Sequence, residues 1–305
     1  MKRRTAVKYR HLIQLLAAVI MNGYAAGFVG KKIFQGPTKM FCVPVLNCYS
    51  CPGALGSCPI GAMQAVIGRN HGRFPFYVLG TLMLFGVLLG RLVCGFICPF
   101  GFIQDLLNRI PHPRVTVPRV IDRPLRFVKY AVLIVFVILL PALAGPAVGP
   151  NPPWFCQYIC PAGTLEGGLT LVLADPQLRG LIGWLFDWKV AVLIAVVVGA
   201  VFIPRFFCRY LCPLGAFYAV FNRFSLYHME LDRSLCTGCG ACEKACPMAV
   251  EVRKDANSPE CIRCGECRRA CPTGAICAGF SKDPQIKQRQ QAPSDARSKN
   301  SSPQE

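Results

Sequence analysis

Two cysteine runs near the C-terminal end constrain this chain more than any other feature. Cys236, Cys239, Cys242 and Cys246 precede Pro247, and Cys261, Cys264, Cys267 and Cys271 precede Pro272. Each run is C-x2-C-x2-C-x3-C-P. Three thiolates spaced by two residues wrap three corners of an iron–sulfur cubane, and the fourth, carried away by the turn, reaches the neighbouring cluster. The spacing therefore predicts one [4Fe–4S] cluster on Cys236, Cys239, Cys242 and Cys271. It predicts a second on Cys261, Cys264, Cys267 and Cys246. Zinc sites join one pair of ligands to a second, distant pair, a far looser pattern than this doubled order. Gly238, Gly240 and Gly265 let backbone N–H groups approach the sulfurs. Cys277 falls outside both runs and reads as a buried thiol.

The rest of the chain has a different chemistry. Charged residues are only 16% of the 305 residues and hydrophobic residues 53%, against roughly 25% charged in an ordinary soluble domain. Four apolar stretches, at about 11–30, 74–93, 127–149 and 184–204, approach the ~20 residues needed to cross a bilayer. The formal net charge of +19 suits topology better than nucleic-acid binding, which is not expected. Lys2, Arg3, Arg4, Lys8 and Arg10 precede the first stretch, and Arg109, Arg114, Arg119, Arg123, Arg126 and Lys129 occupy the middle loop. These put the N-terminus, that loop and the C-terminus on the cytoplasmic side. The expected organisation is a membrane domain over 1–230, a two-cluster ferredoxin domain over 231–280 and a disordered tail over 281–305.

A second motif recurs inside the membrane part. Cys58, Cys98, Cys160 and Cys212 are each followed by Pro and, two residues later, by Gly. Three of them have a companion four residues upstream: Cys94, Cys156 and Cys208. Arg91, Cys94, Cys98, Pro99, Gly101, Asn108 and Arg109 recur at a constant offset of 114 as Arg205, Cys208, Cys212, Pro213, Gly215, Asn222 and Arg223. That is a parallel two-span repeat, with a pseudo-axis along the membrane normal. The fold class predicted is an all-α four-helix membrane bundle followed by an α+β ferredoxin domain. Both repeats end an inward-running span at the same depth, so Cys94, Cys98, Cys208 and Cys212 offer four thiolates to one inner cluster. The same logic assigns Cys58, Cys156 and Cys160, with one of Cys48 or Cys51, to an outer cluster; Cys51 is favoured as nearer in sequence. Cys42 and Cys48 are surplus to these sets in that reading and can pair oxidatively. Proline after each ligand suits the first position of a helix, which places the cysteine where the dipole favours a thiolate. Arg91 and Arg205 either add positive charge there or snorkel at the interface.

C-x3-C-P motifs at span ends followed by a two-cluster ferredoxin module resemble the NapH/NosR-like family of membrane polyferredoxins, over most of residues 10–277. The resemblance implies electron transfer between the quinone pool or cytoplasmic donors and a partner reductase, as a quinol-dehydrogenase-like component. It implies a multi-pass protein of a bacterial or archaeal cytoplasmic membrane, in contact with lipid and with redox partner subunits, and a possible quinone. Cys94/Cys98 and Cys208/Cys212 match the family's two C-x3-C-P motifs. A different reading is a ferredoxin-type factor that reduces or delivers metal during assembly of a metalloenzyme. Haem is not expected, because none of the four histidines sits mid-span. No G-x-G-x-x-G fingerprint opens a helix, which gives no support to nucleotide binding.

Overall fold

A computed structural model describes residues 9–30, 32–69, 75–111, 117–143, 152–180 and 182–280. The basic N-terminal residues up to Lys8 and the 281–305 tail lie outside them. The described part is mostly helical. In chain order its main helices are α1 (Arg10–Met21), α2 (Pro59–Arg69), α3 (Phe76–Leu89) and α4 (Pro99–Leu107). They continue with α5 (Arg119–Leu143), α6 (Gly163–Ala174), α7 (Trp184–Phe202) and α8 (Pro213–Phe221). Two of them, α5 and α7, are long and apolar enough to cross a membrane, with a mean hydropathy of 2.2 each. Only 22% and 17% of their apolar windows are covered by the protein itself, whereas the core helix of a soluble protein would be covered all round.

The first two expected spans are shorter than the sequence suggested. The helix α1 has 12 residues and stops at Asn22, whose side chain donates to Ala18 O at 3.1 Å and to Asn47 Oδ1 at 3.0 Å. The amide thus caps its own helix and ties it to a buried loop. The helix α3 has 14 residues and stops at Gly90, at φ +56, where the Arg91 N–H is taken by Asn222 Oδ1 at 3.1 Å. The third begins earlier than expected, at Arg119.

The C-terminal module is small. Strand β1 (Tyr227–Leu231) pairs antiparallel with β2 (Ile276–Phe280), in the register Tyr227↔Phe280 to Leu231↔Ile276. It begins four residues ahead of the expected boundary at 231. Between the strands stand two one-turn helices, α9 (Ala241–Lys244) and α10 (Glu266–Ala270), each entered through a glycine in the left-handed region, Gly240 and Gly265. Cys277 lies on β2 opposite Glu230 and is half-buried.

Three buried carboxylates lock these parts together, and each is shared by two cations. Asp105 holds Arg205 through Nη2 at 2.6 Å and Arg10 through Nη1 at 3.0 Å. Glu260, from the C-terminal module, takes Arg91 Nη1 at 3.2 Å and Lys129 Nζ at 2.5 Å. Asp122 takes Arg209, Arg126 and the Tyr210 hydroxyl. Burial alone would raise the Asp105 carboxyl, but Arg205 and Arg10 hold it down at about 2. A depressed carboxyl stabilises the fold above its unfolded value, near 4, and the contribution fades only as pH falls towards 2. The module is further clamped by Arg263, at φ 54, which donates to Leu89 O at 3.0 Å and Asn222 O at 2.6 Å. Its Ile262 carbonyl presses on Gly95, where an added Cβ would lie 2.4 Å from the oxygen.

Two outcomes follow from this arrangement. Asp105→Asn strands the fully buried Arg205 and should cost roughly 3–5 kcal/mol. Glu251→Gln, which removes the partner of the exposed Arg119, should cost under about 1 kcal/mol. Thermal unfolding of the purified variants compares them, and equal losses would contradict a structural role for the Asp105 network. Gly95→Val should separate the module from the N-terminal helices, seen as lost hydrogen-exchange protection over 258–264; unchanged protection would show that the contact does not hold it.

Candidate iron–sulfur centres

The inner set is built twice by one local device. A single helical turn, Leu92–Phe96 or Phe206–Tyr210, carries the first cysteine, Cys94 or Cys208. Four residues later Cys98 or Cys212 caps the next helix, α4 or α8, and its sulfur accepts the N–H of Gly101 or Gly215 at 3.4 Å. Proline at the first helical position costs no hydrogen bond there. All four cysteines are buried, and the Cys208 thiol lies within electrostatic reach of Cys94, Cys98 and Cys212.

The two arginines of the repeat cross between halves rather than reach for a membrane surface. Arg205 Nη1 donates to Cys94 O at 2.7 Å, and Arg91 Nη2 donates to Cys208 O at 3.2 Å. Both side chains are fully buried. The glycine of each C-P-x-G makes room for them: a Cβ at Gly215 would sit 3.1 Å from Arg91 Nη2, and one at Gly101 3.4 Å from Arg205 Nη1. Each guanidinium thus fixes the opposite ligand loop and brings a cation to it, and the interfacial alternative is set aside.

The outer set surrounds a cavity of about 320 Å³ lined by Cys48, Cys58, Cys156 and Cys160. Cys156 and Cys160 lie within electrostatic reach of both Cys48 and Cys58. Cys48 lines this cavity beside Cys58, Cys156 and Cys160, whereas Cys51, the residue that nearness in sequence favours, is not among its lining residues. The Cys48 N–H is pinned by Glu166 Oε2 at 2.8 Å, and a turn is closed by Cys51 N–H to Cys48 O at 3.1 Å. Gly163 and Gly167 admit the Cys48 sulfur, which would lie 3.7 and 3.5 Å from Cβ atoms placed there. Cys42 forms a parallel bridge with Ser57 instead, and none of the cysteines is in a disulfide.

In the C-terminal module the fold brings Cys246 to Cys261, Cys264 and Cys267, and Cys271 to Cys239, with Cys236 beside Cys242. Cys239 is exposed, and the N–H of Ala241 together with the Thr237 hydroxyl lowers its thiol below the usual range.

The sets adjoin one another. The Cys261–Cys264 loop abuts Gly95, between Cys94 and Cys98, with the Cys264 N 3.7 Å from a Cβ placed there. Asn222 Nδ2 ties it down by donating to Ser258 O at 2.7 Å and Cys261 O at 2.8 Å. Tyr218, fully buried on α8, donates to Pro44 O at 3.0 Å in the loop that leads to Cys48. Its hydroxyl lies within electrostatic reach of Cys94, Cys98 and Cys42, and Cys42 within reach of Cys58. Neither Asn222, as a clamp, nor Tyr218, Glu260 or Lys129 announces itself in the sequence, because their partners are distant backbone and buried charge.

The donor chemistry fits cubanes. Buried thiols flanked by N–H donors and cations are suited to an anionic cluster.

Comparison with known proteins agrees. A family described as "4Fe-4S binding domain" matches residues 57–77, 74–118, 130–174 and 180–228, and a "4Fe-4S dicluster domain" matches 228–272. An uncharacterized protein of Methanocaldococcus jannaschii is 30% identical over 207 residues, covering 64% of this chain and 68% of its own. The putative electron transport protein YccM of Escherichia coli is 26% identical over 215 residues, 67% of this chain and 56% of its own. The regulatory protein NosR of Pseudomonas aeruginosa is 32% identical over 178 residues, 56% of this chain but 22% of its own. No solved structure matches. With half of the chain in the cluster-binding family and a dicluster module behind it, this protein belongs to the 4Fe-4S binding family, in keeping with its NapH/NosR-like resemblance.

Proposed function

We propose that the chain is a membrane-embedded electron conduit that holds four [4Fe–4S] clusters. The observation that carries this reading is the contact order of the cysteine sets. The Cys261–Cys264 loop lies on Gly95 of the inner set, and α8 of the inner set reaches the outer loop through Tyr218. Cys236, Cys239, Cys242 and Cys271 hold the cluster nearest the cytoplasmic partner, next to the one on Cys246, Cys261, Cys264 and Cys267. Cys94, Cys98, Cys208 and Cys212 hold the inner cluster, and Cys48, Cys58, Cys156 and Cys160 the outer one. Bound clusters supply one-electron exchange. The chain's own part is to hold the thiolates, exclude water from them and surround them with positive charge.

In this reading α1, α3, α5 and α7 form a four-helix membrane bundle of unequal spans, both termini are cytoplasmic, and redox partners dock at the exposed Cys239 end and at the outer cavity. The file of sets answers the distance set by a ~30 Å hydrocarbon core. The buried loop from Cys42 to Asn47 dips inward to meet α8, so the outer set need not stand at the far surface.

Iron analysis of serine variants tests the assignment. Cys98→Ser and Cys212→Ser should each lose about four irons, and the double variant should lose no more than either alone, since both serve one cluster. Additive losses would separate the two halves and end the shared inner site. Cys48→Ser should remove the outer cluster and Cys51→Ser should not; the reverse result would overturn the outer ligand set.

A further inference from the structure

The four proline-capped cysteines share a feature that the motif does not include. Six residues past Cys58, Cys98, Cys160 and Cys212 stand Gln64, Gln104, Glu166 and Tyr218. Each lies between one and two helical turns beyond its cysteine and reaches across to another chain segment. Glu166 accepts the Cys48 N–H, and Tyr218 donates to Pro44 O. The two glutamines do something more specific.

Gln104 is buried on α4 and reaches the opposite half of the inner set. Its Oε1 accepts the Phe207 N–H at 3.0 Å, and its Nε2 donates to Cys208 Sγ at 3.1 Å and to Phe100 O at 3.4 Å. Gln64 repeats this on α2 at the outer set. Its Oε1 accepts the Phe155 N–H at 2.9 Å, and its Nε2 donates to Cys156 Sγ at 3.4 Å and to Ile60 O at 3.2 Å. The amide orientation is not arbitrary. A backbone N–H and a helical carbonyl fix which end is oxygen and which nitrogen, so the NH2 must face the sulfur. The same three bonds at two separate sites make a built device.

We propose that Gln64 and Gln104 are paired positioning residues whose amide N–H groups set the reduction potentials of the outer and inner membrane clusters through Cys156 and Cys208. The assignment rests on the four-cluster reading above. An N–H donated to a ligating sulfur stabilises the more negative, reduced cluster, so removing it lowers the potential. The bond to the phenylalanine N–H holds the turn that presents the cysteine. Thus one side chain serves placement through its oxygen and potential through its nitrogen.

The test is a redox titration followed by electron paramagnetic resonance on anaerobically purified full-length protein, with iron counted in the same samples. Gln104→Met should lower the midpoint of the inner-cluster signal alone, and Gln64→Met that of the outer-cluster signal alone, with iron content retained. Gln104→Glu keeps the acceptor for the Phe207 N–H and withdraws the donor; it too should lower the inner midpoint, and it covers the case in which the methionine variant fails to fold. Midpoints unmoved at full iron content would overturn the assignment. Loss of iron in Gln104→Met with a wild-type midpoint in Gln104→Glu would leave the glutamine a scaffold only, and also overturn it. Wild-type protein that carries only the two ferredoxin clusters would overturn the four-cluster reading and this assignment together; a full wild-type complement with unmoved variants removes this assignment alone.

Discussion

The exchange of Arg91 and Arg205 between the two halves of the repeat is the constraint on which the rest of the structure depends. Each guanidinium is fully buried, and each donates to the backbone carbonyl of the other half's first cysteine. A buried cation without a partner costs several kcal/mol, so each needs an acid: Asp105 for Arg205, and Glu260 for Arg91. Asp105 draws in Arg10 of α1, and Glu260 belongs to the ferredoxin module. One requirement, two cations at one anionic site, thereby fixes the first helix, the repeat and the docking of the C-terminal module. In all three buried networks cations outnumber acids, which leaves positive charge beside the cysteine sets.

Much of this was legible in the sequence, where the physics is local. Spacing alone predicts the crossed grouping of Cys246 with Cys261, Cys264 and Cys267, because a two-residue gap on a tight turn leaves few geometries. The 114-residue offset sets Cys94 and Cys98 against Cys208 and Cys212, and the four thiols lie within electrostatic reach of one another. The family resemblance drawn from those motifs agrees with the matched families.

What escaped was set by long-range partners. Proximity in sequence favours Cys51, whereas the proposed outer set takes Cys48, which lines the cavity and whose N–H is held by the distant Glu166. Hydropathy sees a continuous stretch through Asn22 and across Gly90, yet side-chain capping by Asn22 and the Asn222 bond to Arg91 end those helices early. Lys129 lies where hydropathy starts a span, and only its bond to Glu260 shows it as a buried clamp on the ferredoxin module. The glutamines six residues past their cysteines look like ordinary polar breaks in apolar helices until their sulfur partners are in view.

The central claim is that the membrane part holds clusters of its own, and iron with acid-labile sulfide per chain, in protein purified without oxygen, tests it most directly. Four cubanes predict about 16 irons and as many sulfides. A value of about 8 of each would mean that only the ferredoxin module is loaded, and would contradict the account of the inner and outer cysteine sets.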